Sequence, residues 1–219
     1  MRLIDLSHIV EAGMETYRGL PGPLVCDFLS REASRGRYAE GTTFQIGKIE
    51  MVANTGTYVD APFHRFEGGT DVAGLPLEQL ANLDACVVAS DPASGAIGPD
   101  VFNGLTLRGK AVLIETGWSR HWRTPAYFEG HPYLTRTAAE RLVRERVAFV
   151  GIDSLNIDDT NDGARPVHTL LLGAGIPIGE HFTNLAALPR SGALLHAVPV
   201  KARRMGSFPV RAYAVVDAS

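Results

Sequence analysis

Short apolar runs recur along the chain at residues 85–89, 111–114, 148–152, 193–198 and 210–216, each bounded by Gly, Pro, Asp or Lys. Runs of this length, mostly rich in Val and Ile, predict buried β-strands. A further strand is expected at the start, ending near Leu6-Ser7-His8. Between the runs lie helical patterns. Thr137-Ala-Ala-Glu140 reads as a capping box, and Leu142, Val143 and Val147 give the following segment an apolar side. Leu77, Leu80 and Leu83 after Pro76 predict a second, short helix. Residues 42–59 are polar and rich in Thr, the pattern of a hairpin or a curved edge strand. Strands alternating with helices indicate a mixed α/β fold. No repeat and no linker-like stretch divides the chain, so a single domain over residues 1–219 is expected.

Composition narrows the function classes. Hydrophobic residues make up 45% and charged residues 21% of the 219, ordinary for a globular protein. A net charge of −3 gives no electrostatic case for nucleic acid. No uncharged apolar run is long enough to span a membrane, and the opening residues lack a signal-peptide core, so a cytoplasmic location is the default. Cys26 and Cys86 sit in apolar stretches and are expected as buried thiols. No P-loop or dinucleotide fingerprint is present.

Two regions gather polar groups beside glycines and prolines. In Asn54-Thr-Gly-Thr-Tyr58-Val-Asp60-Ala-Pro-Phe-His64, strand alternation puts Asn54, Tyr58 and Asp60 on one face. Gly56 leaves room there, and Pro62 turns the chain to bring His64 over it. This is either a site on one rigid strand or a solvated face at a strand end. In the second region His168 and Glu180 flank an apolar, Gly-rich stretch, and His181 follows Glu180 directly. A carboxylate emerging from such a run needs a cation: an arginine such as Arg203, Arg204 or Arg211, or a metal ion. The loop from Asp158 to Gly163 fails as a calcium loop, because its twelfth position is Thr169 rather than Glu. It reads as an Asx-rich surface turn. His8, His121, His131 and His196 lack grouped partners and read as packing residues.

The first region resembles the signature His-x-Gly-Thr-His-x-Asp-x-Pro-x-His of the putative-cyclase family of kynurenine formamidase-like hydrolases, in all but the first two histidines. Other landmarks follow in the family's order: Asp5-Leu6-Ser7-His8, Pro21-Gly22, Glu115-Thr-Gly-Trp118, His131-Pro-Tyr-Leu134, Gly151-Ile-Asp-Ser154, His168, the segment 176–180 and Asn184-Leu185. The resemblance implies a swivelling β/β/α fold and hydrolysis of a C–N or C–O bond in a small carbonyl compound. It implies Asp60, Glu180 and His168 as metal ligands and His64 as the catalytic acid–base. Asn54 and Tyr58 stand where the family has two more histidine ligands. An amide oxygen and a phenol are weaker ligands, so one ion is expected rather than two, Zn²⁺ first and Mn²⁺ second. Tyr58 then becomes a candidate hydrogen-bond donor to a developing oxyanion. Tyr17, Phe63, Phe66 and Trp118 are aromatic candidates for the pocket or the core. A homo-oligomer built on a two-fold dimer is expected as well. Two rivals remain: a metal-poor relative that binds a small molecule, and a lyase or cyclase working without metal.

Overall fold

The Val- and Ile-rich runs become neighbouring strands. The computed structural model describes residues 1–91 and 94–217. Its strands are β1 (Arg2–Asp5), β2 (Leu24–Leu29), β3 (Ile46–Glu50), β4 (Tyr58–Asp60), β5 (Leu83–Ala89), β6 (Ala96–Ile97), β7 (Ala111–Glu115), β8 (Tyr133–Leu134), β9 (Phe149–Ile152), β10 (Ile178–Glu180), β11 (Ala193–His196), β12 (Ser207–Pro209) and β13 (Tyr213–Val216). The helices are α1 (Arg31–Ser34), α2 (Arg136–Glu145) and α3 (Pro166–Gly173). One nine-stranded sheet runs β1-β13-β11-β5-β7-β9-β10-β4-β12, and β2-β3 and β6-β8 form two small sheets. The fold is mixed α/β, as expected. Among the described residues, no helix is long and apolar enough to cross a membrane.

The centre of the large sheet, β5 to β10, is parallel and buried on both faces, as parallel strands require. Ala85, Val87, Leu113 and Phe149 face one core, which loops and short turns cover. Val88, Val112, Ile114, Val150 and Ile178 face the other, closed by Leu142 of α2 and Val167 and Leu171 of α3. Gly179 and Gly151 lie side by side and hold the sheet close to Phe182. A Cβ on Gly179 would come within 2.7 Å of Phe182 and 2.8 Å of Phe149.

Several expectations shift in detail. Helix α2 is capped by Thr135, whose hydroxyl accepts from Ala138 N at 3.2 Å, rather than by Thr137. Thr137 lies in the first turn, with its hydroxyl on Thr135. Val147 is buried but lies beyond the helix, past the left-handed Arg146. The segment after Pro76 makes one 3-10 turn, Leu77–Gln79. Asn82 at φ 57° ends any helical path, and Leu83 opens β5. The stretch 42–59 divides between β3, paired with β2, and β4, inside the large sheet. Cys86 is buried, but Cys26 is exposed, because β2 and β3 form an arm exposed at nearly every position.

The functional residues lie where antiparallel strands extend the parallel core. Glu180 sits opposite Tyr58, and Ser207 sits opposite Asp60. With strand alternation, Tyr58, Asp60, Glu180 and Ser207 therefore share one face of β10-β4-β12. It is the face that α3 covers, and α3 carries His168.

Candidate metal centre

Asp60, His168 and Glu180 lie over a hundred residues apart at their extremes and converge on this face. The Asp60 side chain is fully buried. Its Oδ1 accepts from Ser207 Oγ. Its Oδ2 is buried with no hydrogen-bond partner among the described residues. That oxygen lies 3.6 Å from His168 Nε2, which is 3.7 Å from Glu180 Oε1. Donors roughly 2.0–2.2 Å from one tetrahedral ion stand roughly 3.4 Å apart. The spacings from His168 to each carboxylate are thus close to those of neighbouring ligands around a cation. A buried carboxylate oxygen without a donor is costly, and a cation at that point would remove the cost. The residues fit a divalent ion.

Asp60, His64 and His168 also offer donor atoms all within 4.8 Å of one another. Glu180 Oε1 adjoins this triad through His168 Nε2, at 3.7 Å.

Hydrogen bonds behind the donors fix their orientation. His168 Nδ1 donates to Asp158 Oδ2 at 2.6 Å, leaving Nε2 for the site. Asp158 also accepts from Val167 N at 2.7 Å and His168 N at 3.0 Å, at the head of α3. Asp158 is thus fully buried, and the surface-turn reading of its loop is corrected at this residue. Asp159 and Asp162 do make the short Asx contacts expected, to Asn161 N and Ala164 N. Burial opposes the Asp158 charge, but the bonds from His168 and Val167 outweigh it and hold its carboxyl below the usual range. Burial likewise opposes an imidazolium at His168, yet Asp158, Asp60 and Glu180 lift it to about 10.

Glu180 is clamped from all sides. Oε1 accepts from Ile157 N at 2.7 Å. Oε2 accepts from Tyr58 OH at 2.5 Å and Tyr17 OH at 2.9 Å. Burial pushes its carboxyl above the usual range and Asp60 adds to this, while His168 and the hydrogen bonds pull it back. Both tyrosines are held well above their usual range, first by burial and then by Glu180, so they remain donors. Arg211, one of the arginines considered for Glu180, is engaged instead with Asp5 at 2.6 Å. Tyr58 is not positioned as the sequence suggested. Its hydroxyl is turned onto Glu180, so its proton is committed there and not to an oxyanion.

The last group is linked through Ser207. Its hydroxyl gives its one proton to Asp60 Oδ1 and accepts from Asn54 Nδ2 at 3.3 Å. It therefore accepts from His64 Nδ1 at 3.0 Å as well. This network assigns the Nδ1–H tautomer and leaves His64 Nε2 with a lone pair. Gly206 brings β12 against the turn that carries His64: a Cβ there would lie 2.6 Å from His64 Cα. Asn54 thus presents its amide nitrogen to Ser207.

A cavity of about 300 Å³ opens over the group, lined by Tyr17, Leu20, Asn54, Tyr58, His64, Arg65, Asn156, Arg165, His168 and Glu180. Of the aromatic candidates only Tyr17 is among them. Phe66 packs on the helix-side core, Phe63 is half-buried, and Trp118 donates to the Tyr127 carbonyl. His181 is fully buried and bonded to Tyr127 OH at 2.8 Å, and burial holds it neutral, well below its usual value. His8 stacks on Trp122, His121 packs by Trp118 and His196 stacks on Tyr213. His131 bonds Ser154 and Thr160. Sequence reasoning missed Asp158, Ser207 and Asn156. Only Asp158 left a trace, as one acid among several in a loop.

Comparison with known proteins places the chain in a family. The putative cyclase family profile matches residues 4–159. The kynurenine formamidase of Geobacillus thermodenitrificans is 32% identical over 186 residues, covering 79% of this chain and 87% of the relative. Isatin hydrolase A from Labrenzia aggregata superposes with a TM-score of 0.83 at 24% identity, covering 99% of this chain and 94% of that one. A predicted metal-dependent hydrolase from Bacillus stearothermophilus gives 0.76 at 25% identity, with 97% of each chain covered. The chain belongs to the putative cyclase family and is a kynurenine formamidase-like hydrolase.

Proposed function

We propose that the chain hydrolyses a C–N or C–O bond in a small aryl carbonyl compound, an aryl formamide, cyclic amide or lactone, with one divalent ion, Zn²⁺ or Mn²⁺. The observation that carries this reading is the unpartnered Asp60 Oδ2 facing His168 Nε2. Asp60, His168 and Glu180 would hold the ion. When bound there, the ion supplies Lewis acidity, polarising a carbonyl and lowering the pKa of a water to about 7. His64 serves as the acid–base: its Nε2 lone pair takes a proton from the attacking water, and the ring then returns it to the leaving nitrogen or oxygen. Ser207 keeps the Nδ1–H tautomer in place, and Tyr58 and Tyr17 hold the Glu180 carboxylate. The formamidase and metal-dependent hydrolase relatives support this reading. Its test is turnover of a panel of aryl formamides, cyclic amides and lactones, before and after chelation. Hydrolysis that stops with chelator and returns with Zn²⁺ is expected. Chelator-insensitive turnover would instead mark a metal-free lyase or cyclase, and binding without turnover a binding protein.

One ion is favoured because Tyr58 and Asn54 are already engaged, with Glu180 and Ser207. The double change Asn54→His with Tyr58→His is expected to raise zinc content toward two ions per chain, read by elemental analysis. Content unchanged at one would refute this account of the two replacements.

The reading includes a two-fold dimer. A monomer of 23.6 kDa is expected to expose about 9,800 Å². This chain exposes 11115 Å², an excess of about 1,300 Å², while a subunit gives up roughly 800 Å² in a standard interface. The β2-β3 arm leaves Leu24, Val25, Phe28, Ile46 and Ile49 exposed, and an isolated two-stranded hairpin is marginal in water. Light scattering at micromolar concentration is expected to report twice 23.6 kDa. A stable monomer would contradict the dimer.

A further inference from the structure

Two guanidinium groups line the cavity, and hydrolysis by the buried residues does not require either of them. Arg65 follows His64 on the turn that carries it. Its Nε donates to Thr169 Oγ1 at 3.2 Å, and its guanidinium lies over the Phe66 ring. Arg165 heads α3, three residues before His168, and its Nη1 donates to the Asp159 carbonyl at 2.9 Å. Each side chain is thus steered by one neutral acceptor. Among the described residues, neither lies within ion-pair distance of a carboxylate, whereas Arg18, Arg123, Arg190 and Arg211 all do. A guanidinium has five N–H donors in a planar fork suited to a carboxylate, so most of the donors at both positions remain available. Arg165 also holds a left-handed backbone, φ 47°, where glycine would be unstrained, and still places a long cationic side chain there. The cavity is therefore polarised. Its buried lining carries one carboxylate, Glu180, beside His168, and its more exposed lining carries two cations with no acidic partner among the described residues.

We propose that Arg65 and Arg165 select substrates bearing a carboxylate on the part of the molecule away from the bond that is cut. This rests on the hydrolase reading above and adds the substrate class: an anionic aryl amide or ester in preference to a neutral one. The rim holds the anionic end, while the carbonyl reaches the floor beside His64. The two guanidiniums act as specificity residues and touch no reacting atom.

The test compares formanilide with its 2-, 3- and 4-carboxylates on the zinc-loaded chain. At least one carboxylate is expected to exceed formanilide in kcat/KM by about tenfold or more, mainly through KM. The double variant Arg65→Gln with Arg165→Gln is expected to lower that preference by about tenfold, and Lys at both positions to restore part of it. Raising salt from about 0.05 to about 0.5 M should shrink the preference. Formanilide matching all three carboxylates, or a preference unchanged in the double variant, would overturn the proposal. Benzoate binding to the metal-stripped chain, by calorimetry, reads the rim without turnover. Weakening of about tenfold in the double variant supports the rim even if no substrate is hydrolysed. Equal binding by wild type and variant overturns it independently of the hydrolase reading.

Discussion

Asp60→Ala is expected to remove the ion and the activity together, lowering turnover by more than about 10⁴-fold, because the ion and the group that orients His64 are lost in one step. Asp60 belongs to the donor triad with His64 and His168, and it also accepts the Ser207 proton that sets the His64 tautomer. The same change should not unfold the metal-free chain. It deletes a buried carboxylate with an unpartnered oxygen beside another acid, Glu180, and so relieves a cost that the ion otherwise offsets. Wild type should therefore gain thermal stability when zinc is added, by about 4 kcal/mol at a thousandfold excess over Kd. The variant should gain none. Melting curves with zinc and with chelator, beside elemental analysis, check this. A variant that keeps its ion would remove Asp60 from the ligand set.

His64→Ala should separate the two functions that Asp60→Ala loses together. It is expected to lower turnover by about 10²–10⁴-fold, the usual worth of a positioned acid–base, while the ion stays bound through Asp60, His168 and Glu180. His64 is partly exposed and belongs to neither core cluster, so the fold should tolerate the change. Added imidazole should recover part of the rate in the variant and none in wild type. Loss of the ion from His64→Ala would instead assign His64 to the ligands, through the triad it forms with Asp60 and His168.

Much of this site was legible because the chain writes it on short, strongly patterned pieces. Asp60 and His64 lie on one strand and the turn that ends it, and the alternation placing Tyr58 and Asp60 together is local. The buried parallel strands were equally plain, since apolar residues on both faces leave little other reading. Helix α3 was not. Its residues are nearly all apolar because it is sandwiched between the sheet and α2, so no helical stripe shows, and Pro166 at its first turn was the one local cue. Asp158 hid among exposed acids, since its burial depends on helix α3 folding back against it. Ser207 carries no motif. Its role comes from strand pairing between residues about 150 apart in sequence. Tyr58 was located correctly, but its hydroxyl direction depends on Glu180 and Tyr17, which spacing cannot place. Cys26 misled because an apolar strand normally faces a core, and β2 faces solvent.

The central claim is that one ion held by Asp60, His168 and Glu180 drives the hydrolysis. It is tested most directly by titrating the metal-stripped chain with zinc while recording hydrolysis of an aryl substrate that the native protein turns over. The account predicts activity that starts near zero, rises linearly and levels off at one zinc per chain. Full activity in the stripped protein, or a rise that continues to two equivalents, would contradict it.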